Sequence, residues 1–257
     1  MLGLGTSVTS IDSGQIYKEL SELSNHTDLD IHFDMSTLTG DHGTEVTSVV
    51  NLGATGAGNN INSNEGAPTL DRTSLSRACV DFPNSGDNDN ILDMATSYTT
   101  TGKAMTFFIV FQWDVVGTQV ITVDADDSYS DYLTLGAGAG RLALAGGSAS
   151  NVAFNDTDNS TVSYTFQANI PTVLLIQRSA GGELSFYTDN NIYVALVADP
   201  GDTNFTLGAI GGTTSSTLTD FNGKVCEVGL YNENIGSTAI QILLESLCTK
   251  WGINRRN

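Results

Sequence analysis

The chain has 257 residues and carries 29 acidic side chains against 10 Lys and Arg, which gives a formal net charge of −19 at pH 7. Such acidity disfavours binding to the nucleic-acid backbone, which requires a basic surface, and docking on anionic membranes. No run of about 18 apolar residues occurs, so the sequence predicts no membrane-spanning helix. The length fits one large domain, because all-β sandwiches of this size often form a single unit.

Residues 1–27 differ from the rest of the chain. The opening MLGLGTSVTS is apolar and interrupted by Gly, and QIYKELSEL can form a short helix with one aliphatic side. A secretory signal is not expected, because the first positive charge is Lys18. A helix this short needs a partner surface to be stable. We therefore expect an N-terminal arm that anchors the protein in an assembly, followed by one domain over residues 28–257.

The stretch HTDLDIHFD, residues 26–34, alternates polar and apolar residues with a period of two. One side holds His26, Asp28, Asp30, His32 and Asp34, and the other holds Leu29, Ile31 and Phe33. A metal or acid–base site is one interpretation of the polar side, and a solvent-exposed strand face is the other. Side chains two apart on a strand are about 6.5–7 Å apart at the backbone, so two can converge on an ion but five cannot. We expect a solvated, edge-protecting face without a structural transition metal.

From residue 28 onward the sequence is typical of β-structure, with short runs separated by Gly, Asn, Asp and Ser. The clearest run is AMTFFIVFQW, where residues 105 to 113 with odd numbers form one apolar face and Phe108 and Val110 make the other partly apolar. Further candidate strands are residues 118–123, 131–135, 141–145, 162–167, 172–178, 183–188, 192–197, 205–210 and 223–232. Residues 40–75 show little periodicity and are predicted to be a long loop. About a dozen strands at this spacing predict a sandwich or jelly roll.

One helix is predicted near the C-terminus. Its apolar stripe consists of Ile240, Leu243, Leu244, Leu247 and Trp251. Ser237 is the expected N-cap, and Gly252 is placed to end the helix.

Cys79, Cys226 and Cys248 are an odd number of cysteines without CxxC or Cys/His spacing. They are expected to be free, buried thiols of a protein made in a reducing compartment, rather than a disulfide framework.

The C-terminal run FNGKVCEVGLYNENIGSTAIQILLESLCTKWGI follows a pattern in which a strand F-x-G-x-(I/V)-x-E-(V/I) leads through (L/I)-Y into a helix ending in KWGI or KYGI. The matching residues are Phe221, Gly223, Val225, Glu227, Leu230, Tyr231, Lys250, Trp251 and Gly252. Together with IHFDMSTL, CVDFPNSGDNDNIL and PTVLLIQRSAGGELSFYTDN upstream, this resembles the laminin-G-like, concanavalin-type jelly-roll domains over residues 28–254. The sequence departs from that pattern at residues 188–191, where the Gly of the family's turn is missing.

The resemblance implies an all-β fold, a two-sheet antiparallel jelly-roll sandwich with a C-terminal helix. It also implies a structural role for Asp34, whose carboxylate would accept backbone N–H groups in the turn that ends the strand. Function is less constrained, because this scaffold carries many roles.

Calcium is the cofactor to consider, because some laminin-G and pentraxin relatives bind it. The candidate ligands are Asp124, Asp126, Asp127 and Asp131 of DADDSYSD, since hard oxygen ligands at a spacing of two suit calcium. The loops NDTDN and SGDNDN are alternatives, and none of the three matches an EF-hand. Solvated turns are the other interpretation of each loop, and we expect no obligatory cofactor.

Laminarinases and related glycosidases share this jelly roll and, for retention, need two carboxylates about 5–5.5 Å apart. Their E-x-D-x-(x)-E motif is absent here, and the eight Glu residues are scattered. A Ser–His–Asp hydrolase has no support either, since G-x-S-x-G is missing and all three His precede residue 43. We expect the protein not to be an enzyme. Tyr98, Tyr129, Tyr132 and Tyr193 can stack on sugar rings or be ordinary sandwich residues.

Two functions remain. The Gly-rich start resembles structural proteins of marine tailed phages, and low Lys and Arg content with no secretory signal fits a particle subunit. The first is therefore a non-enzymatic virion protein: a capsid decoration, head-fibre or tail-associated subunit made in the host cytoplasm. It would form homo-oligomers, contact other virion proteins and be compatible with glycan adhesion. The second is a carbohydrate-binding, lectin-like module of a bacterial surface or secreted protein. Neither implies nucleic acid or membrane as a partner.

Deleting residues 1–25 tests the arm. If the arm buries even ~600 Å² of apolar surface on a neighbouring subunit, at about 25 cal/mol per Å², the contact would contribute on the order of 15 kcal/mol before ordering costs. We expect the truncated protein to fold cooperatively but to lose oligomerisation and incorporation into a particle, as measured by sedimentation and incorporation assays. Normal assembly would show that the segment is only a tail, and failure to fold would show that it belongs to the core.

Overall fold

The structure is a computed structural model that describes a large part of the chain. The described residues are 29–83, 90–115, 119–125, 128–135, 142–145, 152–154, 167–189, 193–196, 204–212 and 220–255. The predicted arm lies outside them, as does the strand predicted over residues 162–167 apart from its last residue.

The secondary structure consists of short and medium strands followed by one long helix. In chain order the elements are β1 (Leu29–Asp34), β2 (Ile61–Glu65), β3 (Thr69–Asp71), β4 (Cys79–Phe82), β5 (Ile91–Thr99), β6 (Met105–Trp113), β7 (Gln119–Ala125), β8 (Ser128–Leu135), β9 (Leu142–Ala145), β10 (Val152–Phe154), β11 (Pro171–Arg178), β12 (Leu184–Thr188), β13 (Tyr193–Leu196), β14 (Thr206–Ile210), β15 (Gly223–Tyr231) and α1 (Gly236–Trp251). Met35–Thr37 and Gly56–Asn59 form short 3-10 helices.

The strands form two antiparallel sheets. The eight-stranded sheet runs β13-β12-β11-β6-β15-β4-β3, with β1 also paired to β15, and the seven-stranded sheet runs β10-β9-β8-β7-β14-β5-β2. Strand β15 pairs with β6 along its length, while β4 and β1 share its other edge, one after the other. This confirms the predicted jelly-roll sandwich with a C-terminal helix.

Strand β6 is buried on both faces, as the sequence predicts. Its residues 105, 107, 109, 111 and 113 belong to the core between the sheets. Phe108 and Val110 belong to a second apolar cluster on the outer face of the eight-stranded sheet. That sheet therefore needs a cover on each face, and the seven-stranded sheet supplies one.

Helix α1 supplies the second cover. The predicted stripe of Ile240, Leu243, Leu244, Leu247 and Trp251 is buried in the outer cluster. The helix ends as predicted, because Gly252 has a φ of 66°, a left-handed conformation that suits glycine. Its start differs from the prediction. The helix begins at Gly236, whose N–H donates to Asn234 Oδ1 at 3.0 Å, so Ser237 already lies inside it and is not the cap.

Strand β1 does not alternate as predicted. Its pairing with β15 shifts between Leu29 and Ile31. Leu29 consequently packs in the outer cluster, whereas Ile31 and Phe33 lie in the core between the sheets. A one-residue irregularity reverses the face of every residue on one side of it.

A loop closes the edge of β1 that faces away from β15. The Leu52 N–H donates to the carbonyl of His32, and the His32 N–H donates to Asn51 Oδ1, both at 2.8 Å. Gly53 passes so close that a Cβ built on it would lie 2.2 Å from the carbonyl oxygen of Asp30. The edge is thus protected by hydrogen bonds from a neighbouring loop, and not by charged side chains as the sequence suggests.

Residues 40–75 are not the long loop that the sequence predicts. They contain β2, β3, a 3-10 helix and an isolated bridge between Val49 and Ile61. Strand β2 lies at a sheet edge, and Ile61 is its one buried residue. Such a polar edge strand has no hydrophobic alternation, which is the signal that sequence reading depends on.

The other predicted strands within the described residues form close to their expected bounds, while β4, β5 and β10 were absent from the predicted set. Among the described residues, no helix is long and apolar enough to cross a membrane.

Candidate functional site

The predicted solvated face of β1 is wrong for His32 and Asp34, which are buried, whereas Asp30 is half-buried. His32 and Asp34 are 8% and 9% exposed. The last turn of α1 covers them, because Lys250 reaches Asp34 with an Nζ–Oδ2 distance of 2.8 Å. His26 and Asp28 lie outside the described residues.

Glu227 is the centre of a buried set of charged and polar groups. Its Oε1 lies 2.8 Å from His32 Nε2. Its Oε2 accepts hydrogen bonds from Lys250 Nζ and Trp251 Nε1, each at 2.7 Å. Lys250 also bonds Asp34, so that residues from β1, β15 and α1 form one network. We call His32, Asp34, Glu227, Lys250 and Trp251 the Glu227 cluster.

A β-bulge directs Glu227 toward the helix. The pairing of β15 with β6 shifts between Val225 and Glu227. Val225 and Val228 lie in the core between the sheets, whereas Cys226 lies in the outer cluster. The extra residue therefore lets Cys226 and Glu227 both face α1. Glu227, one of the residues that match the family's C-terminal pattern, thus lies where β15 meets α1.

Asp34 ends β1 in the way the sequence predicts. Its Oδ1 accepts the Ser36 N–H at 3.0 Å and the Ser36 hydroxyl at 2.6 Å, which confirms its structural role. Burial alone would raise the pKa of Asp34. The charge and hydrogen bond of Lys250, with the bonds from Ser36, outweigh burial and hold the pKa below its ordinary value of 3.8.

An aromatic ring shields the Glu227 cluster on the sheet. The Phe108 and His32 rings have centroids 6.2 Å apart, and Gly229 lies between them in the strand pairing. A Cβ on Gly229 would lie 2.1 Å from the Phe108 ring, so glycine is what allows this packing. With α1 above it, the cluster is largely shielded from solvent, and its groups are engaged with one another. It stabilises the helix on the sheet.

The cysteines are free and buried, as predicted. Burial raises the pKa of the Cys226 thiol, and it raises the pKa of Cys248 to about 12. Thiols held in the neutral form are weak nucleophiles at neutral pH. Cys226 lies beneath α1 and Cys248 lies on the buried face of α1, and both therefore act as small apolar residues of the outer cluster.

Of the four predicted calcium ligands, the structure describes the strand positions of Asp124 and Asp131. Asp124 lies in β7 and Asp131 in β8, which are adjacent antiparallel strands. Their side chains, together with Asp126 and Asp127, lie outside the described part of the structure. The calcium site stays a prediction.

Tyr98 is the one sugar-stacking candidate with a described side chain. It packs against the core between the sheets and hydrogen-bonds Asp30. Burial and the neighbouring Asp30 carboxylate raise the pKa of Tyr98. It thus serves as a sandwich residue, and the side chains of Tyr129, Tyr132 and Tyr193 lie outside the described residues.

A polar cleft of about 290 Å³ lies on the outer face of the seven-stranded sheet. It is lined by Ser63, Asn64 and Glu65 of β2, by Asp93, Met94 and Ser97 of β5, and by Gly208 of β14. Leu92 and Met94 point into the core, so Asp93 between them faces outward. Glu65 and Ser97 are exposed, and Gly208 forms part of the floor. We call this surface the β2–β5–β14 cleft.

Register shifts flank the cleft on both sides. The pairing of β2 with β5 shifts between Ile61 and Ser63, and the pairing of β14 with β5 shifts between Leu207 and Ala209. Bulges re-aim side chains and are common beside binding sites. Sequence analysis missed this cleft because its three strands are distant in the chain. The small polar residues at alternate positions of β5 were the available signal.

The molecule is a β-sandwich of the concanavalin-like jelly-roll type, and solved structures share it. Domain 4 of AbnA, a GH43 extracellular arabinanase from Geobacillus stearothermophilus in complex with arabinotriose, is 13% identical with a TM-score of 0.55, covering 85% of this chain and 98% of that one. The binding domain of Paraclostridial Mosquitocidal Protein 1 is 10% identical with a TM-score of 0.54, covering 86% and 52%. Trypanosoma rangeli sialidase in complex with sialic acid is 12% identical with a TM-score of 0.49, covering 92% and 38%.

These similarities concern the fold. The chain spans about half of the toxin binding domain and 38% of the sialidase. No family model and no curated protein matches it. The narrower expectation of a phage virion protein gains no support from the solved structures and stays a prediction.

Replacing Glu227 with Gln tests the Glu227 cluster. The change keeps the shape but removes the charge that Lys250 faces, and losing one partner of a buried ion pair costs roughly 3–5 kcal/mol. We expect the free energy of unfolding in urea to fall by about 3 kcal/mol. The control is Glu245→Gln, because Glu245 pairs with Arg255 at 2.8 Å but is 54% exposed. That change should cost under about 1 kcal/mol, and equal losses in the two variants would contradict the proposed role.

Acid should destabilise the fold through Asp34 and Asp71. Burial alone would raise the pKa of Asp71, but hydrogen bonds from Ser74 and Thr73 lower it to about 2. Such a carboxyl has a lower pKa in the folded chain than in the unfolded chain. It stabilises the fold at pH values above its pKa in the unfolded chain. That stability is lost as the pH falls through the folded pKa.

We therefore expect the free energy of unfolding to decrease between about pH 4 and about pH 2. Denaturant unfolding at a series of pH values should show a shallower decrease in Asp71→Asn. An exposed loop carboxylate provides the control, Asp41→Asn, which should keep the wild-type slope. Parallel curves for all three proteins would disprove the assignment to Asp71.

Proposed function

We propose that the chain is a non-catalytic glycan-binding β-sandwich module and that the β2–β5–β14 cleft is its binding site. The observation that carries this proposal is the cleft itself. It is a concave polar surface on the strands of a packed sheet, where groups are held more rigidly than on loops. Its carboxylates, hydroxyls and amide match the hydroxyl groups that a sugar presents.

Each group in the cleft has a role in this proposal. Asp93 and Glu65 accept hydrogen bonds from sugar hydroxyls, and bonds to a charged acceptor are stronger than neutral ones. Ser63 and Ser97 can both donate and accept. Gly208 has no side chain, so a sugar ring can approach the floor closely.

The solved structures support binding as a role for this fold. The arabinanase domain that matches over 98% of its length was solved with arabinotriose, and a second neighbour is named as a toxin's binding domain. Binding by this chain is our proposal and not a property of those proteins. It is compatible with either a virion subunit that adheres to glycans or a lectin-like module.

The setting of the two carboxyl groups supports the proposal of binding without turnover. A glycosidase acid works in a buried, apolar environment that keeps its proton at neutral pH. Glu65 is exposed, and Asp93 is partly exposed on the open face of the sheet. The cleft therefore provides hydrogen-bond acceptors more readily than a general acid.

Filling the cleft tests the proposal. Calorimetry with arabinotriose, galactan and β-glucan oligosaccharides should identify a ligand, and Ser97→Trp should weaken its binding at least tenfold. The control is Thr249→Trp, which adds the same ring at an exposed position of α1, on the opposite side of the sandwich. Lack of binding to every glycan tested, or equal binding by the two variants, would refute the site. Turnover abolished by Asp93→Asn or Glu65→Gln would show an enzyme instead.

A further inference from the structure

We infer that Cys79 and Cys226 form a disulfide when the protein folds in the presence of a small disulfide oxidant such as glutathione disulfide. The crosslink ties β4 to β15 beneath α1, beside the Glu227 cluster. The inference is independent of the proposed function, because both thiols lie on the eight-stranded sheet and the cleft lies on the other one. Three features support it: the strand register, the face that each side chain occupies, and the contact between the thiols.

Strand register sets the two cysteines opposite each other. In the antiparallel pairing of β4 with β15, Val225 lies opposite Val80, and the next position along this register sets Cys226 against Cys79. Residues directly opposite in an antiparallel pair have Cα atoms about 4.5 or about 5.5 Å apart. A disulfide joins Cα atoms that are about 4.4–6.8 Å apart. The backbone spacing expected for this pair therefore fits a disulfide.

Both cysteine side chains occupy the same face of the sheet. The neighbouring valines lie in the core between the sheets, whereas Cys79 and Cys226 lie in the outer cluster. Two positions back on this outer face, Lys224 and Asp81 are also opposite each other, and Lys224 Nζ lies 3.4 Å from Asp81 Oδ1. Side chains at opposite positions on this face of β4 and β15 thus meet.

The two thiols are already in contact. The Cys226 thiol donates a hydrogen bond to Cys79. The Cys79 thiol in turn donates to the carbonyl oxygen of Asp71, with an Sγ–O distance of 3.8 Å. Formation of the disulfide therefore replaces one existing sulfur–sulfur contact with a bond.

The third cysteine lies apart from this pair. Cys248 belongs to α1, and the charges that act on its thiol are those of Asp189, Glu245 and Arg255. Among the described residues, no three His, Cys, Asp or Glu side chains are grouped so that they could hold a metal ion. A structural zinc site takes four ligands, so the pair suits disulfide chemistry better than metal binding.

Disulfide exchange with glutathione disulfide needs no further reactant. The thiolate of one cysteine attacks a sulfur of glutathione disulfide and releases one glutathione. The thiolate of the other cysteine attacks the protein sulfur of this mixed disulfide, forms the bond between Cys79 and Cys226, and releases the second glutathione. The two cysteines lose two electrons, glutathione disulfide gains them, and the two thiol protons pass to the released glutathiones.

Burial decides when this reaction takes place. Both thiols are fully buried beneath α1, and burial raises the pKa of Cys226. Few reactive thiolates therefore meet the oxidant in the folded protein. Both thiols are open to the oxidant until α1 covers the sheet. We expect fast oxidation during refolding and slow oxidation of the folded protein.

Oxidative refolding tests the pair. The reduced protein is unfolded in urea and refolded with glutathione and glutathione disulfide, and peptide mapping by mass spectrometry identifies the crosslinked cysteines. We expect a crosslinked peptide that contains Cys79 and Cys226, and a free thiol at Cys248. The crosslink should raise the melting temperature by roughly 5 °C or more, because it restricts the unfolded chain. Dithiothreitol should reverse this rise.

Two variants separate the pair from other thiol chemistry. Cys248→Ser removes the third thiol and should keep both the crosslink and the rise in melting temperature. Cys226→Ala leaves Cys79 and Cys248, and it should form no intramolecular disulfide and melt at the same temperature with and without the oxidant. The peptide map of the wild-type protein decides by itself if a variant does not fold.

Three results would overturn the inference. The first is a refolded wild-type protein that keeps three free thiols in the glutathione mixture. The second is a crosslink that involves Cys248. The third is a protein crosslinked between Cys79 and Cys226 that melts at a lower temperature than the reduced form, because the native register would then not accommodate the bond. If the reduced protein does not refold, prolonged incubation of the folded protein in the same mixture gives the peptide map that decides.

Discussion

The carboxylate of Glu227 joins three elements of the molecule, since it belongs to β15 and contacts both β1 and α1. It receives hydrogen bonds from Lys250 and Trp251 at the end of α1, and its other oxygen contacts His32 of β1. A buried carboxylate must be compensated on both oxygens, since an unpaired buried charge is very costly. The helix can therefore cover the sheet in one orientation, the one that brings its last turn to Glu227.

The eight-stranded sheet is apolar on both faces because each face is covered. Its inner face packs on the second sheet, and its outer face would be an exposed hydrophobic patch without α1. The apolar stripe of α1 buries apolar surface on the sheet, and the Glu227 cluster fixes the position of the helix along the sheet. Packing and polar recognition thus act on the same surface, with apolar burial providing most of the energy.

Irregular strand pairing occurs at the Glu227 cluster and beside the β2–β5–β14 cleft. The bulge in β15 turns Glu227 toward α1, and the shifts beside β5 open the outer face of the seven-stranded sheet into the cleft. Regular alternation would have placed Glu227 in the apolar core, where no partner could have met it. The eight-stranded sheet consequently holds the helix, and the seven-stranded sheet carries the cleft that we propose as a binding site.

Features that depend on local periodicity and on turn chemistry could be predicted from the sequence. The alternation in β6, the stripe of α1, its end at Gly252 and the turn at Asp34 could all be read from neighbouring residues. Tertiary structure alone decided what depends on residues far apart in the chain. It buried His32 and Asp34, moved Leu29 to the outer cluster, and built the cleft from three separate strands. The physical reason is that burial and register are set by the partner that covers a strand, and a strand's own residues do not specify that partner.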